Sequence, residues 1–366
     1  VGFLIRELLQ EMVKHNGSDL HIKVGTPPTM RVDGDLTPFN VPAPTGEEVD
    51  AECDNILTPR QKRIFMETNE VDFAFGVPGL ARFRANFYRQ RGSSAMVFRT
   101  IPFDAPKFET LNLPSVIRDL AMKPRGLVLV TGTVGSGKST TLASMIREIN
   151  ETARKNIITI EDPVEFLHRD NKSMISQREV GSDTESFHAA LKHILRQDPD
   201  VILVGEIRDQ PTMSIALTAA NTGHLVFSTL HTTDASQAIN RVISFFPLNQ
   251  QQEIRFLMAS CLEAIISMRL VPRSDMRGRI PAVEVMIATG TIKEYLLDAE
   301  KTHMIKSVIE ESASEYGMQS FDQSLLNLYN DGKISLEDAL RFASSPTELQ
   351  IKAKGIEAGT DVSWTP

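Results

Sequence analysis

Cysteine is nearly absent from this chain: Cys53 and Cys261 are the two in 366 residues. They lie far apart and outside any metal-ligand spacing, which excludes a disulfide scaffold and a cysteine-built metal site and fits a reducing, cytoplasmic setting. No apolar run approaches the roughly 20 residues needed to cross a bilayer. Residues 1–10 read as an amphipathic helix rather than a signal peptide, so a soluble chain with no transmembrane segment is expected. An excess of base is lacking too. Lysine and arginine number 39 against 47 aspartate and glutamate, a formal charge of -8. The basic residues are interleaved with acids, so no basic stripe invites a nucleic acid and no nucleic-acid partner is expected. No internal repeat is visible, and residues 355–366 carry no period, as an unstructured tail would.

What is present centres on Gly132, Thr133, Val134, Gly135, Ser136, Gly137, Lys138 and Ser139, followed by Thr140. The preceding run, Gly-Leu-Val-Leu-Val-Thr at 126–131, has the pattern of a buried strand, and residues 140–146 continue as a helix. Strand, glycine-rich loop and helix in that order form a phosphate-binding loop. Glycines let successive backbone N–H groups turn inward around a phosphate chain, where side chains would obstruct them. Lys138 then reaches the β and γ phosphates of a nucleoside triphosphate, and the Ser139 hydroxyl is placed for Mg²⁺.

Around this loop the chain divides by pattern. Over residues 1–102, helix-like spacing at Phe3, Leu4, Leu8, Leu9, Met12 and Val13 gives way to alternating segments at 19–24, 29–32, 71–75, 81–87 and 95–99, with a turn at Asp33-Gly34 and a helix starting at Thr58-Pro59. Strands with flanking helices indicate a small α+β domain. Arg82 and Arg84 alternate with Phe83, so they point away from the aromatic core, toward solvent or a partner. Prolines 102, 106, 114 and 124 mark a linker over 103–124. From 125 to 290, short apolar runs at 127–131, 157–161, 201–206 and 225–229 alternate with helix-length segments, the pattern of a mainly parallel α/β core carrying ligand groups at its strand ends. Residues 248–270 read as helix, 282–287 as a strand, and 291–354 as a helical region including 321–329 and 336–342.

Several apolar runs end on chemistry. Val-Gly-Glu at 204–206 places Glu206 where a second acidic strand orients Mg²⁺ and the attacking water, making it the general-base or water-positioning candidate. Glu161, Asp162 and Glu165 crowd the end of another run, and crowded carboxylates repel unless a cation sits among them, which Mg²⁺ would do directly or through its waters. His224 and His231 bracket the 225–229 run. Seven positions apart is not a zinc spacing, so a hydrogen bond to the γ-phosphate or to Glu206 is the functional reading.

The phosphate loop, Thr-Ile-Glu-Asp-Pro-Val-Glu at 159–165, Val-Gly-Glu-Ile-Arg-Asp at 204–209 and the paired histidines together resemble the secretion ATPase superfamily, in its type IV pilus retraction branch of PilT and PilU proteins. Gly-Ser-Asp-Leu-His at 17–21, Ala-Arg-Phe-Arg at 81–84 and Gln-Arg-Glu-Val at 177–180 extend the resemblance over roughly 3–343. It implies a RecA-like P-loop ATPase core preceded by a smaller α+β PAS-like domain, assembled as a homohexamer that hydrolyses ATP with Mg²⁺. Such a motor sits peripherally at the inner face of the cytoplasmic membrane and works on a platform protein there, with a second retraction ATPase as a further partner. Glu165 then matches the acidic box, Glu206 the atypical second acidic motif, His224 and His231 the histidine box, and Arg82, Arg84 and Arg99 the region that supplies arginines to the phosphates. One segment departs. Retraction motors carry Ala-Ile-Arg-Asn-Leu-Ile-Arg-Glu where this chain has Thr-Ile-Lys-Glu-Tyr-Leu-Leu-Asp at 291–298, which opens a second reading as an accessory or regulatory paralogue acting by nucleotide-dependent binding.

Overall fold

The computed structural model describes residues 4–32, 34–102 and 104–354. Phe3, Asp33 and the tail at 355–366 lie outside them. The chain separates into two compact units, one of Val1–Ala105, Asp162–His168 and Arg178–Glu185, the other of Pro106–Glu161, Arg169–Gln177 and Ser186–Pro366.

The first unit runs α1 (Ile5–Lys14), β1 (Asp19–Lys23), β2 (Thr26–Val32), β3 (Asp35–Pro38), α2 (Gly46–Ile56), α3 (Pro59–Thr68), β4 (Glu70–Val77), β5 (Ala81–Gln90) and β6 (Ser93–Ile101). Its six strands form an antiparallel sheet in the order β3-β2-β1-β6-β5-β4. Local chemistry starts and stops the helices. Thr45 with Glu48, and Thr58 with Gln61, make reciprocal capping boxes for α2 and α3. Asn69, with φ 66, takes the left-handed turn that ends α3. Along β5, Ala81, Phe83, Ala85 and Phe87 are buried while Arg84 is exposed. Phe87 meets Phe73 and Phe98 edge-on at centroid distances of 5.1 and 5.7 Å, a packing that uses the ring quadrupoles.

The second unit continues with α4 (Val116–Ala121), β7 (Gly126–Thr131), α5 (Lys138–Thr152), β8 (Asn156–Glu161), β9 (Met174–Glu179), α6 (Phe187–Ile194), β10 (Val201–Val204), α7 (Gln210–Asn221), β11 (Leu225–Leu230), α8 (Ala235–Ser244), α9 (Gln251–Cys261), β12 (Leu262–Pro272) and β13 (Arg279–Ile287). Then come α10 (Gly290–Leu297), α11 (Ile305–Glu311), α12 (Ala313–Tyr316), α13 (Phe321–Asn330), α14 (Leu336–Phe342) and α15 (Pro346–Ala353). The sheet order is β13-β12-β7-β11-β10-β8-β9. β8, β10, β11, β7 and β12 are parallel, and β13 closes one edge antiparallel to β12. Every residue of β7, β10 and β11 is buried, as a parallel sheet covered on both faces requires.

Four expectations need correction. The 103–124 stretch is no free linker: Phe108, Ile117, Leu120 and Ala121 are buried in the core of the second unit with Val128 and Met145. Residues 248–270 are not one helix, because α9 stops at Cys261 and β12 follows at once. Its apolar run is buried on both faces, so no alternation distinguishes it from helix. The 291–354 helices are not a separate region. Phe321, Leu325, Ala339 and Leu349 share a buried cluster with Val271, Ile280 and Ala282 of β12 and β13. Finally, 162–168 and 178–185 cluster with the N-terminal residues rather than with the α/β core that precedes and follows them in sequence.

Truncating the aromatic cluster should be costly. Phe87→Ala is expected to destabilise the N-terminal unit by about 3–5 kcal/mol, read as faster hydrogen exchange of β5 and β6 amides in the full chain. Unchanged protection there would contradict the packing described.

Candidate active site

Strand register brings the chemistry to one sheet edge. Thr131 of β7 pairs with Leu230 of β11, and Val204 of β10 pairs with both Ser228 of β11 and Ile160 of β8. The last residue of β8, Glu161, and the residues just beyond the other strands therefore emerge together: the loop at 132–137, Glu206 and His231. Side chains lock this edge. Ser228 Oγ donates to the Val204 carbonyl at 2.8 Å and Thr229 Oγ1 to the Gly205 carbonyl at 2.7 Å, and Asp209 caps α7 by accepting from Thr212 N at 2.8 Å. The turn carrying Glu206 is fixed at both ends.

In the loop, Gly132, Gly135 and Gly137 adopt φ of 145, 75 and 98°, the region side chains disfavour. At Gly132 space is also exhausted: a Cβ would stand 2.4 Å from Ser136 Oγ and 2.6 Å from the Met268 carbonyl. Lys138 is 8% exposed, and its ammonium donates to the carbonyls of Gly132 and Thr133, each at 2.8 Å. α5 begins at Lys138 with left-handed Gly137 as its cap and no side-chain hydrogen bond to its first-turn amides. Those amides, and the buried Ser136 Oγ without a partner among the described residues, are donors aimed at an anion. Ser139 lies in the first turn of α5. One hydroxyl and few protein oxygens suit Mg²⁺, which keeps most of its waters.

Glu206 is largely buried, its side chain 14% exposed, paired with Arg208 and 3.5 Å from His231 Nε2. The structure thus brings Glu206 and His231 together beside the loop. Arg208 went unassigned from sequence, although its position two residues after Glu206 on the same turn was the available signal. His224 is a correction. It precedes β11, whereas the loop follows β7, and six strand residues put it roughly 20 Å from His231 at the opposite sheet edge. There its Nδ1 lies 2.9 Å from the Ala219 carbonyl, closing the turn after α7, so within one chain it does not approach the phosphate loop.

The carboxylates at 161, 162 and 165 do not converge as a set of metal ligands. Among the described residues no group of three or more His, Cys, Asp or Glu side chains is arranged to hold a metal. Glu161 instead accepts from Thr159 Oγ1 at 2.6 Å and Gln177 Nε2 at 3.1 Å. Asp162 and Glu165 belong to a segment of the N-terminal unit, where Asp162 lines an open cleft with Arg84 and Glu179. In that unit Arg82 donates to Glu179 Oε2 at 3.2 Å, and the same oxygen accepts from Val164 N at 3.3 Å. Arg99 donates to Asp19 at 2.8 Å. Burial raises the Asp19 carboxyl, but bonds from Ser18 and Arg99 outweigh it and leave the group below its ordinary value. Arg84 is the loosest of the three, half exposed and 3.9 Å from Asp72.

A parallel α/β sheet with a phosphate loop after β7 and a carboxylate after β10 defines a P-loop nucleoside triphosphatase with a RecA-like core. The family described as Type II/IV secretion system protein matches residues 100–341, more than half of the chain. The Type IV pilus retractation ATPase PilT of Pseudomonas aeruginosa is 45% identical over 342 residues, covering 93% of this chain and 98% of that one. The Type IV pilus ATPase PilU of the same organism is 40% identical over 356 residues, covering 97% and 93%. A crystal structure of the pilus retraction motor PilT with bound ADP superposes with a TM-score of 0.88 at 42% identity, covering 95% of this chain and 99% of the other. The chain belongs to the Type II/IV secretion system family, in its pilus retraction ATPase branch.

The loop geometry orders its glycines by cost. Gly132→Ala combines a left-handed φ with a backbone clash and should weaken triphosphate binding by at least about tenfold, whereas Gly135→Ala, with open space at its Cβ, should lose less. Titration with a fluorescent nucleotide measures both, and the reverse order would refute the close approach at Gly132.

Proposed function

We infer that this chain is an ATPase that converts ATP hydrolysis into retraction of a type IV pilus. The observation that carries the reading is the meeting of the phosphate loop, Glu206 and His231 at one sheet edge, in a chain that matches retraction ATPases over nearly its whole length. Lys138 and the α5 amides bind the phosphates. Ser139 would hold Mg²⁺, which supplies neutralisation of the β and γ phosphate charge. Glu206 accepts a proton from, or orients, the attacking water, and Arg208 and His231 hold its carboxylate in place. Arginines of the N-terminal unit add positive charge as the γ-phosphate leaves, a contribution worth about 10³–10⁵ in rate where such a residue is inserted. Arg84, loosely held, is the one most available for it, while Arg82 and Arg99 have carboxylate partners to leave.

In the fuller form of this reading the N-terminal unit is PAS-like, the working assembly is a hexameric ring, and Glu165 contributes to the Mg²⁺ site through water. The ring acts peripherally at the cytoplasmic face of the inner membrane, where it extracts pilin through a platform protein. Six-stranded order β3-β2-β1-β6-β5-β4 with flanking helices supports the first element. No described helix is long and apolar enough to cross a membrane, which fits peripheral rather than integral attachment.

A second reading rests on α10. It occupies the segment where retraction motors carry two arginines, and here buried Ile292 and Leu296 keep the helix while Lys293 and Leu297 stand in the arginine positions. A ring lacking those arginines would act as an accessory to another retraction ATPase, switching on nucleotide binding. The two separate by mutation. For a motor, Glu206→Gln should lower steady-state kcat at least about tenfold while ATP still binds, and should abolish motility as fully as Lys138→Ala. For a binding switch, Glu206→Gln retains motility that Lys138→Ala loses.

A further inference from the structure

Glu284 stands in the apolar middle of β13, between Val283 and Val285, and is 5% exposed. Its Oε1 accepts from Ala235 N, the first residue of α8, at 2.8 Å. α8 already has a cap in Asp234, which accepts from Gln237 N at 2.8 Å. The helix therefore gains a second, buried anchor for an orphan first-turn amide. On its other side Glu284 pairs in register with Ser267 of β12, whose hydroxyl lies toward its carboxyl. Ser267 pairs in turn with Thr131 of β7, whose Oγ1 donates to Ser267 Oγ at 3.1 Å. Thr131 is the residue before Gly132. One buried carboxylate thus joins the strand that ends at the phosphate loop to the helix start that ends the His231 turn. Stability alone does not account for it, since an apolar side chain of similar volume avoids the cost of burying a charge.

We propose that Glu284 is a positioning residue for hydrolysis: it fixes the turn between β11 and α8, and so holds His231 against Glu206 in register with the phosphate loop. The inference rests on ATP hydrolysis being the reaction of this site. The ionised form does the positioning. Thr131 donates to Ser267, leaving the Ser267 hydrogen available to the carboxylate, which already accepts from Ala235 N. A protonated Glu284 turns one oxygen into a donor and leaves the line short of an acceptor. Burial pushes the Glu284 carboxyl up to about 7. The Ala235 amide opposes burial, Asp234 at the α8 cap reinforces it, and Arg269 of β12 and the Ser267 hydroxyl oppose it. Arg269 itself faces Asp322 of α13 and Asp234.

The two pH dependences run in opposite directions. Between the ordinary value of 4.5 and about 7 the folded chain holds a proton that the unfolded chain has released. That contribution to stability is present at low pH and lost as pH rises through about 7. Activity gains over the same interval as the ionised form accumulates. Glu284→Gln mimics the protonated form, because its amide presents a donor toward Ser267 where the carboxylate presents only acceptors. Expected for the full chain is a wild type that loses melting temperature relative to Glu284→Gln from about pH 5.5 to pH 8. Wild-type kcat should rise over about pH 6–8 with KM for ATP nearly constant, while the variant stays on the low plateau, about fivefold or more below wild type at the top of the range. In a His231→Ala background the Glu284→Gln deficit should disappear. Superimposable kcat profiles, or an undiminished deficit without His231, overturn the role of Glu284. The melting difference in a chain that hydrolyses no ATP overturns instead the function on which the inference rests.

Discussion

A buried ammonium is the constraint on which the site depends. Lys138 lies among apolar strands and helices, 8% exposed, and a charge there must be met by dipoles or by opposite charge. The carbonyls of Gly132 and Thr133 meet it, and they can do so only because the backbone curls through left-handed glycines. That curl turns the loop amides the other way, toward the space where phosphates bind. The surrounding architecture maintains it: Met268 of β12 closes on Gly132, and β7 is flanked by parallel strands on both sides.

What the sequence revealed follows from how local each feature is. The phosphate loop was legible because its geometry is set within eight residues, by glycines whose φ no other residue adopts readily. β5 was legible because Arg84 is exposed between buried Phe83 and Ala85, so period-two alternation survives. β12 was hidden for the opposite reason. A strand buried on both faces has no alternation, and Leu262 follows α9 without a turn residue. β3 escaped notice as a wholly exposed edge strand. The two histidines bracket a strand in the sequence as in the structure, and strand rise alone separates His224 from His231. Partnerships were least legible of all: Arg82 and Glu179 are 97 positions apart, and nothing near either residue announces the other. Glu284 had a local signal, an acid in an apolar strand, but its meaning needed Ala235 and Ser267 in view.

The same arrangement explains why polar groups are tolerated so deep in the second unit. Thr131, Ser267 and Glu284 stand in register across β7, β12 and β13, with Thr131 donating to Ser267 and Glu284 accepting from Ala235 N. Fully satisfied lines of this kind hold strands in one register, because a slip would strand several buried polar atoms together.

The chain passes back and forth between its units, returning to the N-terminal one at Asp162–His168 and again at Arg178–Glu185. As a unit of inheritance, the first hundred residues are therefore not a cassette. A chimera that exchanges only Val1–Ala105 with a relative pairs a foreign residue 82 with the resident Glu179 that Val164 also holds, a match that both parents must already share. The three stretches are therefore one folding unit though the sequence keeps them apart.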